Sequence, residues 1–192
     1  MKKKILKWLF IIIPALLLIT FVFYMNIILN NNKEKITSIT KKEFQTKDQR
    51  VTFSASEEFI SQEQGEYDLY LTRKEKGKNR QALGVFTYYL NEYEENSSKQ
   101  ILDKQINYFL ENKKNMKIFK KEYTTSLDDK TITTVEYSGN ADTSTDCIYI
   151  FSVIDFSADT NYVVYVNEII LKKDYEKVIS QMKDILKSAK LN

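Results

Sequence analysis

From Trp8 to Leu29 the chain runs for 22 residues without a charge, and Leu, Ile, Phe and Val supply most of them. At ~1.5 Å rise per residue, such a run makes roughly 33 Å of helix, about the thickness of a bilayer's hydrocarbon core. A membrane-spanning helix over residues 8–29 is therefore predicted. Lys2, Lys3, Lys4 and Lys7 stand before it, and no acid occurs in residues 1–29. Lysines flanking a span stay on the cytoplasmic side, which predicts a cytoplasmic tail at residues 1–7 and an extracytoplasmic remainder. Trp8 and Tyr24 fall near the two ends of the run, where amphipathic rings suit the headgroup level. A cleavable signal peptide would carry a shorter apolar region, ~7–15 residues, followed by small residues. Here the run leads into Tyr24-Met25-Asn26-Ile27 and then Asn30-Asn31-Asn32. The expectation is an uncleaved signal anchor and a single-pass protein of the cell membrane.

The anchor also explains the charge. The formal net charge is +3, yet four of the 29 basic residues precede the span, leaving 25 against 26 acids beyond it. The outer part is close to neutral and has no basic run that could track phosphates, so no nucleic-acid partner is expected. Lysine far outnumbers arginine, which occurs only at positions 50, 73 and 80, a bias that suits an AT-rich bacterial genome.

The chain has no histidine. That removes Ser-His and Cys-His nucleophilic catalysis, His-ligated zinc and the usual general base near neutral pH. The only cysteine, Cys147, cannot form an intramolecular disulfide or a Cys-rich metal site. It sits in the apolar run Cys147-Ile148-Tyr149-Ile150-Phe151 and reads as a buried small hydrophobe. No cofactor, no metal and no enzymatic activity are expected.

Residues 30–47 are polar and read as a tether. Residues 48–192 are enough for one core and too few for two. Strand signals fall at 50–54, 67–72, 82–90, 117–126, 130–138, 146–156 and 161–171. Charged residues Arg73–Arg80 with Gly77 read as a hairpin connection, and Asp128-Asp129, Gly139–Thr143 and Ser157–Thr160 as turns. Ser97 with Gln100 forms a capping-box pattern before a helix whose apolar side holds Ile101, Leu102, Ile106, Phe109 and Leu110, ending near 112–115. A second helix carries Tyr175, Val178, Ile179, Met182, Ile185, Leu186 and Ala189 on one stripe, with Asp174 as N-cap. The order is βββ-α-ββββ-α. Short loops between consecutive strands force antiparallel pairing, which predicts an α+β fold: an antiparallel sheet of about six to seven strands covered by two helices.

This order, over roughly residues 48–191, resembles the PsbP-like superfamily. The local likenesses are the Val51-Thr52-Phe53 opening, the helix with Ile101, Leu102 and Phe109, and the closing Tyr175-Glu176-Lys177 helix. The resemblance implies a small extracytoplasmic protein held by an N-terminal anchor and acting as a non-catalytic accessory or assembly factor. It brings no catalytic residue with it.

Three features are candidate sites. Asp155-Phe156-Ser157-Ala158-Asp159 spaces oxygens as a calcium loop does, but Thr160 and Val166 stand where Gly and Glu are needed, so a hairpin turn is expected instead. Glu92, Glu94 and Glu95, with Tyr93 between them, make the densest acid cluster and could hold a cation or a basic partner such as a cell-wall amine. Twelve tyrosines follow the span, many of them on strands. The face carrying Tyr70, Tyr88 and Tyr165 is the first place to look for a binding surface, since tyrosine rows stack on glycan rings and form protein interfaces. The leading expectation is a membrane-anchored, extracytoplasmic, non-catalytic interaction module of the cell envelope, binding an envelope protein or a wall polymer. A small-molecule or ion sensor is the alternative, and a carboxylate-based wall hydrolase a more distant one.

Overall fold

The computed structural model describes residues 40–192, apart from 76–77, 91, 93–95, 114 and 142–144. The tail at 1–7, the span at 8–29 and the tether as far as residue 39 lie outside the described residues. Within the described residues no helix is long and apolar enough to cross a membrane. Residues 41–192 form one compact unit.

The unit is α+β. Its main sheet has seven strands in the order β3-β4-β5-β9-β8-β7-β6. These are β3 (Phe59–Ser61), β4 (Leu69–Glu75), β5 (Lys78–Tyr89), β6 (Lys117–Ser126), β7 (Lys130–Asn140), β8 (Asp146–Phe156) and β9 (Asp159–Leu171). All neighbours are antiparallel. A separate three-stranded sheet joins β1 (Lys41–Gln45), β2 (Val51–Ser56) and β10 (Lys190–Leu191), with β2 in the middle. Helix α1 (Ser98–Asn112) links β5 to β6, and α2 (Tyr175–Ser188) follows β9 after a 3-10 turn at Lys172–Asp174.

The central strands are apolar on both faces because both faces are covered. On one face, α2 and the small sheet close over Leu83, Val85, Ile148, Ile150, Ile154, Val164, Val166 and Ile170, together with Phe53, Met182 and Ile185. On the other, α1 sets Ile101, Leu102 and Ile106 against Val135, Cys147, Tyr149, Phe151, Val153, Val163 and Tyr165. Burying each such aliphatic side chain contributes about 1.5–3 kcal/mol of transfer free energy. Cys147 is 2% exposed, part of that second core.

Several expectations are corrected. The opening strand leaves the main sheet. Val51, Phe53 and Ala55 are buried along with Thr52 and Ser56, and β2 is paired on both edges, by β1 and by β10. A strand buried on both faces and bonded on both edges has no side left with which to join a larger sheet. Short β3 supplies the seventh main-sheet strand in its place. Residues 41–45, within the segment read as a tether, form β1, with Phe44 buried against the same core. Ser97 caps α1 as expected, accepting from Gln100 N at 3.3 Å. The Gln100 side chain reaches back to Asn96 N at 2.7 Å, one residue earlier than a capping box requires. Asp174 makes no side-chain cap, because the 3-10 turn already puts it in helical geometry. Gly139 lies inside β7 rather than in a turn. A Cβ there would meet Met116 Sδ at 2.1 Å, so a side chain at 139 would displace Met116 from its seat on the strand.

Candidate functional site

Strand alternation decides which side chains share a face. Tyr70 pairs with Gly84, Phe86 with Tyr165, and Tyr88 with Val163. Tyr70, Tyr88 and Tyr165 therefore point to the same face, the one under α1. Their exposures differ: Tyr165 is buried at 2%, whereas Tyr70 and Tyr88 are half-buried. Burial and the nearby Tyr88 and Tyr67 hydroxyls raise the Tyr165 phenol well above its ordinary range. Burial and Tyr67 raise Tyr70 as well. Tyr88 accepts a hydrogen bond from Gln105 Nε2 on α1 at 3.0 Å, which fixes its ring against the helix.

Helix α1 packs over the β7–β8–β9 side of this face and leaves the β4–β5 side open. There the rings of Tyr67 and Phe86 lie 4.6 Å apart and those of Tyr67 and Tyr70 5.1 Å apart. Gly84 permits this shelf, since a Cβ at 84 would stand 2.1 Å from Tyr67 Cε1 and 2.6 Å from Asn167 Oδ1. Between shelf and helix lies a niche of about 230 Å³ lined by Tyr67, Tyr70, Phe109, Tyr149, Phe151 and Asn167.

Beside it, between β5 and the outer side of α1, runs a larger cleft of about 1220 Å³. Phe86, Tyr88, Tyr89 and Tyr108 supply its aromatic surface, and Asp48, Glu66, Asp68, Glu92, Asp103 and Glu111 its acids, against Lys104. Tyr108 is 68% exposed, a large ring held out from α1 into solvent. Glu92 thus reaches the same cleft as Tyr88, while Glu94 and Glu95 lie outside the described residues. Two of the acids are built in. Asp68 Oδ2 accepts from Thr87 N at 2.7 Å and from its hydroxyl at 2.9 Å. Asp48 accepts from Thr46 Oγ1 at 2.6 Å and from the Tyr162 hydroxyl at 2.7 Å. Burial pushes the Asp48 carboxyl up, but these bonds outweigh it and hold it below the usual range.

Behind Tyr89 and outside the cleft lining, Arg50 ties three elements together. It donates to Asp159 at 2.8 Å and to the Tyr89 hydroxyl at 2.9 Å, and stacks 4.5 Å from the Tyr162 ring. Those bonds lower Asp159 and keep Arg50 charged. The calcium-like segment is accounted for here: Asp159 serves Arg50, whereas Asp155 is bonded by Ser98 at the start of α1. Among the described residues no group of three or more His, Cys, Asp or Glu is placed to hold a metal.

Asp48, Glu66, Asp68, Asp103 and Glu111 were absent from the sequence-level candidates. They come from the β1–β2 turn, the β3–β4 connection and α1, and only the pairing of β4 with β5 and the docking of α1 bring them together. The one local signal was the alternation of acids with tyrosine around residues 66–68 and 92.

No protein-family model matches the sequence, and no curated protein is recognisably similar to it. Solved structures do match. The chain is similar to cyanobacterial PsbP (CyanoP) from Synechocystis at 7% identity and a TM-score of 0.57, covering 80% of this chain and 94% of that one. It is similar to LpqN, described as involved in cell envelope biogenesis of Mycobacterium tuberculosis, at 7% identity and 0.56, over 80% and 91%. It is also similar to the Ran-binding protein Mog1p of Saccharomyces cerevisiae, at 11% identity and 0.54, over 80% and 96%. At such identities the likeness is one of fold alone, and that shared fold agrees with the order of elements read in the sequence.

Proposed function

We propose that this protein is a membrane-anchored, extracytoplasmic, non-catalytic interaction module of the cell envelope, and that the cleft between β5 and α1 binds a cationic segment of a partner protein. The observation that carries this is the lining of the cleft, six carboxylates against one lysine, around four aromatic rings. Carboxylates attract and orient an ammonium or guanidinium group, and an aromatic face holds it by cation–π attraction once water is displaced. Exposed Tyr108 is placed as an anchor of the kind that dominates interface energetics. The anchor read at residues 8–29 and the fold shared with an envelope-biogenesis protein support the location.

The test is a photo-crosslinking residue at position 108 of the full-length protein in intact cells. A specific adduct with one envelope protein, lost when Glu66, Glu92 and Glu111 are replaced together by Gln, is the expected result. An adduct unaffected by that triple change would remove the electrostatic basis of the proposal.

A second reading, small-molecule sensing, draws on the aromatic niche of about 230 Å³, which suits a small ring far better than a peptide. A thermal-shift response to a small ligand that is abolished by Gly84→Ala, whose methyl displaces Tyr67 from the niche wall, would favour it.

A further inference from the structure

Under α2 the main sheet buries two carboxylates in one cross-strand row. Glu136 on β7 pairs with Ile150 on β8, and Ile150 pairs with Glu168 on β9, so both acids point toward α2 with one strand between them. Glu136 is fully buried and Glu168 is 3% exposed. Their surroundings differ sharply. Glu136 accepts from the Tyr123 hydroxyl at 2.9 Å and the Tyr175 hydroxyl at 2.6 Å, and Lys120 Nζ lies 3.8 Å away. Both oxygens of Glu168 are buried without a hydrogen-bond partner.

A carboxylate in that position has lost its water and gained nothing in exchange, so it holds a proton instead. The beds on either side, Ile150 and Leu83, carry no charge. Glu136 from β7 and Tyr123 from β6 are the titratable groups that interact with it. Tyr175 and Lys120 sit on Glu136, Lys183 of α2 lies 5.0 Å from the Tyr123 ring, and Arg73 of β4 reaches across the same face to Gln81 and to Gln181 of α2. Lys120 serves Glu136, and Arg73 is taken up by Glu58, Gln81 and Gln181. A metal would need several oxygens around it, and among the described residues no such group exists. A proton needs only one.

We propose that Glu168 is a proton-binding site that couples external pH to the docking of α2 on the sheet. Tyr175, the first residue of α2, is bonded to Glu136, so the helix start and the carboxyl pair are one polar cluster. While Glu168 is neutral, that cluster carries a single negative charge, balanced by Lys120. Ionisation puts a second charge beside it in a dry interior, and opening the α2 side to water relieves it. Burial first, and the Glu136 charge second, push the Glu168 carboxyl up to about 8. A carboxyl raised in the folded state stabilises the fold fully below its unfolded value near 4.5, and that stabilisation is lost as pH rises toward about 8. Asp155, raised by burial on the opposite face, adds a similar trend to wild type and variant alike, so the difference between them isolates Glu168.

The experiment uses the full chain in detergent micelles, melted from about pH 5 to about pH 9, as wild type and Glu168→Gln. The wild type should lose melting temperature across this window while the variant's curve is flatter, so that the variant is the more stable at the alkaline end. Amide exchange in α2, corrected for its intrinsic rate, should rise with pH in the wild type only. Parallel melting curves would overturn the proposal. Infrared spectra of wild type carrying carbon-13 glutamate decide the matter even if the variant fails to fold. A protonated glutamate band that persists at neutral pH and fades toward about pH 9 supports the proposal, and its absence at about pH 6 overturns it.

Discussion

The α2 face of the main sheet has two covers, a helix and a small sheet, and its core runs unbroken from Phe44 to Ala189. The α1 face has one cover, and along β4 and β5 the rings of Tyr67, Tyr70, Phe86 and Tyr88 remain half-buried. The same alternating strands supply both. A second cover turns one face into the part that sets stability, and a missing one leaves the other able to touch something else. The faces also treat polar groups differently. Acids on the open side are solvated or bonded at the rim, whereas Glu168 on the closed side is sealed in.

Substitutions can sharpen or break this contrast. The largest effect is expected on the closed face, where Phe53 of β2 is fully buried in the core. Phe53→Ala should cost about 3–5 kcal/mol in urea unfolding, and a loss below ~1 kcal/mol would mean that the second cover adds little. Gly84→Ala on the open face should cost about 1–3 kcal/mol, since the new methyl displaces Tyr67. Near-UV circular dichroism should change with it, and an unchanged spectrum would remove the shelf as a fixed structure.

Asp159→Asn should cost under ~1 kcal/mol at neutral pH, as Arg50 and Asp159 are partly exposed. The sign of its pH dependence is opposite to that of Glu168. A depressed carboxyl contributes stability above its unfolded value of 3.8 and loses it as pH falls through the lower folded value. The gap between wild type and variant should therefore close below about pH 3.8, and a gap that widens in acid would contradict the ion pair. Smallest of all, Tyr108→Ala should leave stability within about 0.5 kcal/mol while weakening partner capture, which separates the binding surface from the core.

The long strands and both helices were legible because their periods are strong and their turns carry acids, glycine or serine. Strands β1, β3 and β10 were not. They span five, three and two residues, and β1 buries only Phe44. Strands so short are specified by their partners rather than by their own pattern. The shared face of Tyr70, Tyr88 and Tyr165 follows from strand alternation once β4, β5 and β9 are neighbours. The β4–β5 hairpin was legible in the charged Arg73–Arg80 segment, but the β5–β9 adjacency has no linear signal. The convergence of Asp48, Asp68 and Asp103 depends on it too. Glu168 was hidden for another reason: a glutamate between Asn167 and Ile169 reads as solvent-facing until both faces of β9 are known to be covered.

The small sheet gathers the two ends of the described chain. Strand β1 enters beside β2, and Asn192 closes on the other side through bonds to the backbone of Gln49 and Arg50. Mechanically, tension arriving at residue 40 would be borne first by β1, a ribbon of five paired residues with one buried ring. Pulling there would peel β1 away as a short, recoverable first extension, with the core still folded behind it. A first strand held this way acts as a fuse for the core behind it.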